Sequence, residues 1–450
     1  LKSIKLNLAP AQIVILSFAI LISSGTLLLL LPAATISGNI SLVDALFTAT
    51  SATCVTGLIV VDTGSYFTPF GQMVILSLIQ LGGLGIMSFS TFFVLMVRGR
   101  VSLKERLMVN GVYTPEPWED FFHLLRMVLL LTFGVEAVGA FFLFFSFSRQ
   151  MSPGAALYCS CFHSISAFCN AGFSIFSDSF ARFKDNSLIN IVMPLLITIG
   201  GIGFAVVIEL LRRGIRREPK RKSLSLHTKL TVVVSLLLTL IAAVCFFFLE
   251  KNGTLANLSL REQVFTSIFQ GVTPRTAGFS SVNFGRVGYA TSFLFTILMF
   301  IGASPGSTGG GVKTTTIAVV LTLVLSQIKR SEQVNIFHRT INKSTIDKAV
   351  GIILASAVII TFFTLALLIT EDSISHHDFS LRQVVFEAVS AFGTVGLSTG
   401  ITSKLSQGGK ILITLLMFVG RLGPLTFFLT LARGGPLTRF SYPEENVMLG

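Results

Sequence analysis

Gly57, Gly172, Gly278 and Gly396 each close a short uncharged stretch: Cys54-Val55-Thr56-Gly57-Leu58, Asn170-Ala171-Gly172-Phe173, Thr276-Ala277-Gly278-Phe279 and Thr394-Val395-Gly396-Leu397. The chemistry open to such stretches is that of the backbone carbonyl. Val55, Thr56 and Gly57, Asn170, Ala171 and Gly172, Thr276, Ala277 and Gly278, and Thr394, Val395 and Gly396 would turn successive oxygens to one side, replacing the hydration shell of a cation. That turning needs φ values that glycine visits cheaply. No carboxylate accompanies the turns, so carbonyl dipoles alone would select, favouring a weakly hydrated monovalent ion over Ca²⁺ or Mg²⁺.

A second constellation runs from Gly302 to Thr316, with Gly302, Ser304, Pro305, Gly306, Gly309, Gly310, Gly311 and Lys313. It approaches a phosphate loop, but Val312 separates Gly311 from Lys313, and an apolar span precedes it where a β-strand should stand. Pro305 and three consecutive glycines cannot continue a stable helix. The spacing therefore predicts a non-helical loop within the membrane, lying beneath the glycine turns, with few packing partners and a low cost of rearrangement. Arg421, in Gly420-Arg421-Leu422-Gly423, falls within an apolar span, where a charge costs about 2.5–3.5 kcal/mol. It reads either as a fixed positive charge facing a cavity or as a partner of Glu136. Glu136 and Glu387 read as structural, and Arg275 as a brace behind the third turn.

Elements able to position these residues follow from composition. The chain of 450 residues is 52% apolar and 12% charged, and apolar runs long enough to cross about 30 Å of hydrocarbon recur throughout. The first, from Ala11, reads as a span and not a removable leader. Each glycine turn follows a half-span and lies between two full spans. The outer helices are expected near Ala11–Leu31, His123–Phe147, Lys229–Leu249 and Lys348–Thr370, and the half-spans near Leu42–Ala52, Gly154–Phe168, Leu260–Val272 and Leu381–Phe392. Inner helices follow near Phe70–Val97, Leu188–Leu211, Tyr289–Gln327 (broken by the loop) and Gly409–Ala432. The glycine clusters at Gly82 to Gly85 and Gly200 to Gly203 read as close packing. The fold class is an all-α polytopic membrane protein of four tandem helix–pore-helix–helix repeats around a central pore, occupying 1–100, 101–222, 223–340 and 341–450. One chain would do what four subunits do in a tetrameric channel.

The net charge of +13 is not a nucleic-acid signal. Of 34 Lys and Arg, 21 fall in alternate inter-span segments, including Arg212 to Lys229 and Lys329 to Lys348. This pattern places both termini and the basic linkers in the cytoplasm. The five Cys and six His show no metal-ligand spacing, and no paired acids or His adjoin the loop, which argues against a membrane-embedded enzyme and leaves no catalytic residue to nominate.

With the repeats in hand, the chain resembles the Trk/Ktr/HKT superfamily of potassium transporters over essentially its whole length, and is most similar to the membrane subunits of bacterial Ktr systems. The match is carried by Asp44 to Leu58, His163 to Phe173, Thr273 to Phe279, Ser390 to Leu397, Gly420 to Phe427 and Ser225 to Leu230. The resemblance implies K⁺ uptake across the plasma membrane, a homodimer, a filter at the four glycines and a gate at the intramembrane loop. It also implies a cytosolic ring of regulatory subunits on the basic face that bind a nucleotide (ATP/ADP or NAD(H)), while this chain binds no cofactor and no metal beyond K⁺, its substrate. All four turns keep glycine, unlike sodium-favouring members with serine at the first. A Na⁺-permeable or Na⁺-coupled transporter of the same fold is the alternative.

Overall fold

The computed structural model describes residues 10–99, 117–215, 224–331, 333–372 and 379–423. The first basic linker beyond Gly99, the expected end of the last inner helix at Ala432, and Arg433 and Arg439 lie outside the described residues.

The four outer helices are long and apolar enough to cross a membrane: Gln12–Leu29, Leu125–Phe147, Leu226–Glu250 and Lys343–Thr370 have mean hydropathies of 2.2, 2.2, 3.0 and 2.8. Leu130, Phe133, Leu236, Phe248, Leu354 and Phe362 stand exposed on them, as side chains facing lipid tails do. Four shorter helices follow, Leu42–Thr53, Pro153–Phe168, Leu260–Val272 and Leu381–Gly393. A serine precedes each, a residue whose hydroxyl can satisfy the first orphan backbone donors, although Ser152 makes no such bond and its helix starts on Pro153 instead. Ser41 Oγ accepts from the Asp44 N–H at 3.0 Å, Ser259 and Glu262 form a capping box, and the Ser380 N–H donates to Gln383 Oε1 at 3.0 Å. At 12 to 16 residues these helices are too short to span.

The inner helices are Pro69–Gly99, Ser187–Ile202, Tyr289–Phe300 and Gln407–Leu422. The third is interrupted as expected and resumes at Thr314–Ile328. The second departs from the expected single helix Leu188–Leu211. It stops at Ile202 and restarts as Phe204–Ile215 after a bend of 103°. Gly203 takes φ of 97° there, a left-handed value outside any right-handed helix. The packing reading of the glycine clusters holds at Gly82 and Gly200, where a Cβ would run into the carbonyls of Thr53 and Phe168. Past Ile328 a small hairpin pairs Asn335–Ile336 with Arg339–Thr340, which the sequence reading did not anticipate.

Each inner helix packs on the short helix of the next repeat: Pro69–Gly99 on Pro153–Phe168, Ser187–Ile202 on Leu260–Val272, Tyr289–Phe300 on Leu381–Gly393, and Gln407–Leu422 back on Leu42–Thr53. The last contact closes a circle, and Lys410 Nζ lies 2.6 Å from Asp44 Oδ1 across it. The apolar core divides accordingly. Phe162, Phe168 and Phe173 join Leu78 and Ile79 between repeats one and two; Phe180 and Phe183 meet Phe269 and Phe279 between two and three; Phe295 and Met299 meet Phe386 between three and four; and Phe47 and Leu58 meet Phe392 and Met417 between four and one. In lipid, where burial of apolar surface gives little drive between helices, such interlocked packing holds the repeats in register.

Candidate functional site

The four glycine turns meet at the centre of this circle. A Cβ built on Gly57 would strike the Ala171 carbonyl; on Gly172, the Ala277 carbonyl at 3.0 Å; on Gly278, the Val395 carbonyl at 2.5 Å; and on Gly396, the Thr56 carbonyl. Each turn thus touches the next in chain order and the fourth touches the first. Gly57, Gly172, Gly278 and Gly396 have φ of 90°, 71°, 72° and 89°, so they need glycine both for their torsion and for their neighbours. The twelve residues singled out from the sequence at these turns are brought together in one ring.

Sequence reasoning missed a second feature of the ring. Val55, Asn170, Thr276 and Thr394, two residues before each glycine, also have positive φ, at 55°, 59°, 69° and 50°. Only the middle residue of each triplet avoids the left-handed region. Torsions of alternating hand rotate successive peptide planes so that their carbonyls face one side. For β-branched Val and Thr this conformation is rare and costs about 1–3 kcal/mol each. Hydrogen bonds from the short helices hold it. Ser51 Oγ accepts from the Gly57 N–H at 3.1 Å and donates to the Leu58 carbonyl at 2.7 Å. Ser166 Oγ donates to the Phe173 carbonyl at 2.8 Å, Thr273 Oγ1 to the Phe279 carbonyl, and Ser390 Oγ accepts from the Gly396 N–H at 3.1 Å. The recurrent hydroxyl near the end of each short helix was the available signal.

The C-terminal ends of these helices converge on the ring. A helix end carries roughly half a negative charge, so four of them directed at one point favour a cation there. The side chains at the ring are uncharged.

The segment from Gly302 to Lys313 lies against one side of the ring. Gly309 is packed on the Thr276 side chain and Gly310 on that of Thr394. The Gly310 N–H donates to Thr394 Oγ1 at 2.9 Å. Ser304 and Thr308 donate from their backbone amides to the carbonyls of Gly201 at 3.1 Å and Gly200 at 3.3 Å, and the Gly306 carbonyl accepts from the Phe204 N–H at 3.2 Å, next to the bend at Gly203. Lys313 Nζ folds back onto the Gly309 carbonyl at 2.7 Å. The loop exists as expected, but the expectation of few packing partners is overturned. Ser304, Ser307 and Thr308 are fully buried, since backbone removed from water must find partners within the protein.

Arg421 is buried and does not face an open cavity. Its guanidinium donates to the Thr308 carbonyl in the loop and to the Gly82 carbonyl of the first inner helix, the latter at 2.9 Å. Glu136 is not its partner, since that carboxylate accepts from Gln80 Nε2 at 3.3 Å. The loop itself reaches repeats two, three and four, and Arg421 bridges it to repeat one. Glu387 binds the segment that follows the fourth turn, accepting from the hydroxyls of Ser398 and Thr402, a structural role as expected. Among the described residues no group of His, Cys, Asp and Glu is arranged to hold a metal ion.

A family described as TrkH, cation transport protein, matches residues 4–437. The Ktr system potassium uptake protein B of Bacillus subtilis (strain 168) is 40% identical over 443 residues, which cover 98% of this chain and 97% of that protein. The protein of the same description from Vibrio alginolyticus is 37% identical over 98% of this chain and 94% of its own length. The potassium/sodium uptake protein NtpJ of Enterococcus hirae is 34% identical, covering 100% of this chain and 99% of that protein. Among solved structures, the crystal structure of the potassium transporter TrkH from Vibrio parahaemolyticus superposes with a TM-score of 0.74 at 22% identity, over 95% of this chain and 86% of that one, a likeness of fold.

Proposed function

The chain belongs to the TrkH family of cation transport proteins, and from that premise we propose that it takes up K⁺ across the plasma membrane through a pore on the axis of its four repeats. It is a membrane transporter and not an enzyme. The observation that carries the reading is the closed ring of Gly57, Gly172, Gly278 and Gly396, in which each turn abuts the carbonyl of the next. Carbonyls from Val55, Asn170, Thr276 and Thr394 onward replace the water around a partly dehydrated ion, and the converging helix ends offset its charge.

In this reading Gly302 to Lys313 is the gate. It lies under the ring and is latched by Arg421, and conduction requires it to move aside. Opening breaks the hydrogen bonds at Thr394, Gly200, Gly201 and Arg421, so the closed state is held by a discrete set of contacts, as a two-state element requires. The energy to release them comes from a cytosolic subunit that binds a nucleotide and docks as a ring on the basic linkers Arg212 to Lys229 and Lys329 to Lys348. Two copies of this chain form the membrane unit, with both termini in the cytoplasm. The potassium uptake proteins B of B. subtilis and V. alginolyticus, described as parts of a Ktr system, favour K⁺ as the cargo.

Uptake of radioactive Rb⁺ into liposomes holding the purified chain, competed by K⁺ or Na⁺, tests the proposal. K⁺ is expected to compete far better than Na⁺. Equal competition would move the protein to the Na⁺-permeable reading, which the potassium/sodium uptake protein NtpJ brings to the same fold. Shortening the loop within Ser307 to Gly311 tests the gate: flux rises without any partner, and unchanged flux in folded protein would place the gate elsewhere.

A further inference from the structure

The residue three before each ring glycine is Cys54, Cys169, Arg275 and Gly393 in the four repeats. Repeat three alone carries a charge at this place. Arg275 is 5% exposed, directly precedes the left-handed Thr276, and has no carboxylate partner among the described residues. Nη1 donates to the Ser235 carbonyl at 3.2 Å and to Thr239 Oγ1 at 3.3 Å, and Nη2 to Ser235 Oγ at 3.0 Å. All three acceptors belong to the third outer helix. A buried guanidinium held only by neutral oxygens costs several kcal/mol of desolvation that its contacts must offset. The negative end of the helix Leu260–Val272 and the Ser235 dipoles supply that offset. The position of Arg275 is therefore sensitive to where Ser235 Oγ points.

Ser235 Oγ has a second neighbour, the hydroxyl of Ser304 in the loop, at 3.4 Å. A hydroxyl has one proton and two lone pairs. Arg275 takes one lone pair of Ser235, and the contact between Ser235 Oγ and Ser304 Oγ can be donated from either hydroxyl, while Ser304 Oγ also accepts from Thr314 Oγ1 at 3.1 Å. Thr314 opens the helix that continues beyond the loop. An unbroken line of polar contacts thus runs from the third turn of the ring through the outer helix to both the loop and the helix behind it. Ser235 and Ser304 are both fully buried, so water does not replace either partner when the line is cut.

We propose that Arg275, Ser235 and Ser304 link the loop to the third turn of the filter, so that the position of the loop sets ion preference as well as flux. Ser235 and Ser304 act as positioning residues in this scheme, and Arg275 carries their orientation to Thr276. The proposal rests on the reading of the ring as filter and the loop as gate. With Ser304 withdrawn, the Ser235 hydroxyl loses this partner and turns, and the planar fork of Arg275, which cannot follow one acceptor without shifting on the others, moves the Thr276 carbonyl.

Rb⁺ uptake by the full chain in liposomes, competed by K⁺ and by Na⁺, reads ion preference separately from total flux. Arg275→Ala leaves a cavity and is not needed. Ser235→Ala and Ser304→Ala are each expected to change the K⁺ to Na⁺ preference about threefold or more, and the double variant to change it no further than the larger single one, because both break the same link. Ser235→Thr, which keeps the hydroxyl, holds the parent preference. Additive effects of Ser235→Ala and Ser304→Ala, or a parent preference in Ser304→Ala, overturn the proposal. The two readings fail separately: parent flux after loop shortening removes the gate, whereas additive changes beneath a loop that does control flux remove the link.

Discussion

The backbone N–H of Gly310, in the loop, donates to the hydroxyl of Thr394, in the ring, at 2.9 Å. One residue thus serves two structures. Its carbonyl belongs to the proposed filter, and its hydroxyl holds the proposed gate against that filter. Thr394→Val keeps the shape and removes the acceptor, leaving a buried N–H unpaired at a cost of about 1–3 kcal/mol to the closed arrangement. Rb⁺ flux into liposomes is expected to rise several-fold in Thr394→Val and to stay at the parent level in Thr394→Ser. Equal flux in all three proteins would separate the hydroxyl from the gate.

The ring glycines differ in the room they have, which ranks their substitutions. Every one takes a left-handed torsion that costs an added side chain about 1–2 kcal/mol. At Gly172 the nearest atom to a new Cβ is 3.0 Å away, and at Gly278 it is 2.5 Å away, both backbone carbonyls. Gly172→Ala is therefore expected to lose the least K⁺ preference, and Gly278→Ala more, roughly tenfold for each further 1.4 kcal/mol. Gly57→Ala and Gly396→Ala, where the carbonyl is closer still, lose the most. A reversed order in competition assays, with all four proteins folded, would show that the torsions and not the packing between turns decide selectivity.

How much of this was readable beforehand differs by element. The expected half-span Leu260–Val272 coincides with the helix found, whose start is fixed by the capping box of Ser259 and Glu262. The ring glycines were readable because their torsion excludes other residues cheaply. Their partners two positions earlier were not, since Val55 and Thr394 argue locally against positive φ and adopt it only because neighbouring turns and helix hydroxyls enforce it. The bend at Gly203 hid inside an apolar run whose composition fits a straight helix equally well. Arg421 announced a buried charge, yet its two acceptors are backbone carbonyls far along the chain, at Gly82 and Thr308, and no side-chain pattern encodes those.

Besides packing and the bond from Arg421 to the Gly82 carbonyl, a side-chain ion pair helps to close the circle. Lys410 and Asp44, 15% and 20% exposed, meet at 2.6 Å between the last inner helix and the first half-span helix. Asp44 Oδ2 also accepts from Ser41 Oγ at 2.8 Å. A half-buried pair of this kind is worth about 1 kcal/mol in water and gains where the surroundings are less polar. Asp44→Asn and Lys410→Met are each expected to lower the temperature of thermal inactivation in detergent by a few degrees, and the double variant by no more than the worse single one. Additive losses would assign the effects to the helices separately and not to the seam.

Arg421 permits a choice between two physical accounts of the same residue. As a fixed positive charge near the ion path it raises the barrier to any cation, and Lys in its place would do the same. As a two-pronged latch it joins the Thr308 carbonyl of the loop to the Gly82 carbonyl of the first inner helix, which requires the planar fork of a guanidinium. A lysine is a single point charge and reaches one of the two. Arg421→Ala is expected to raise partner-free Rb⁺ flux under either account. Arg421→Lys decides, because flux near the parent level supports the charge and flux near that of Arg421→Ala supports the latch. The geometry favours the latch, since both terminal nitrogens already hold carbonyls within a site closed to water, and a charge so engaged presents less of its field to the pore than a free one. The expected ordering of flux is therefore parent, well below Arg421→Lys, with Arg421→Ala equal to or slightly above the lysine variant.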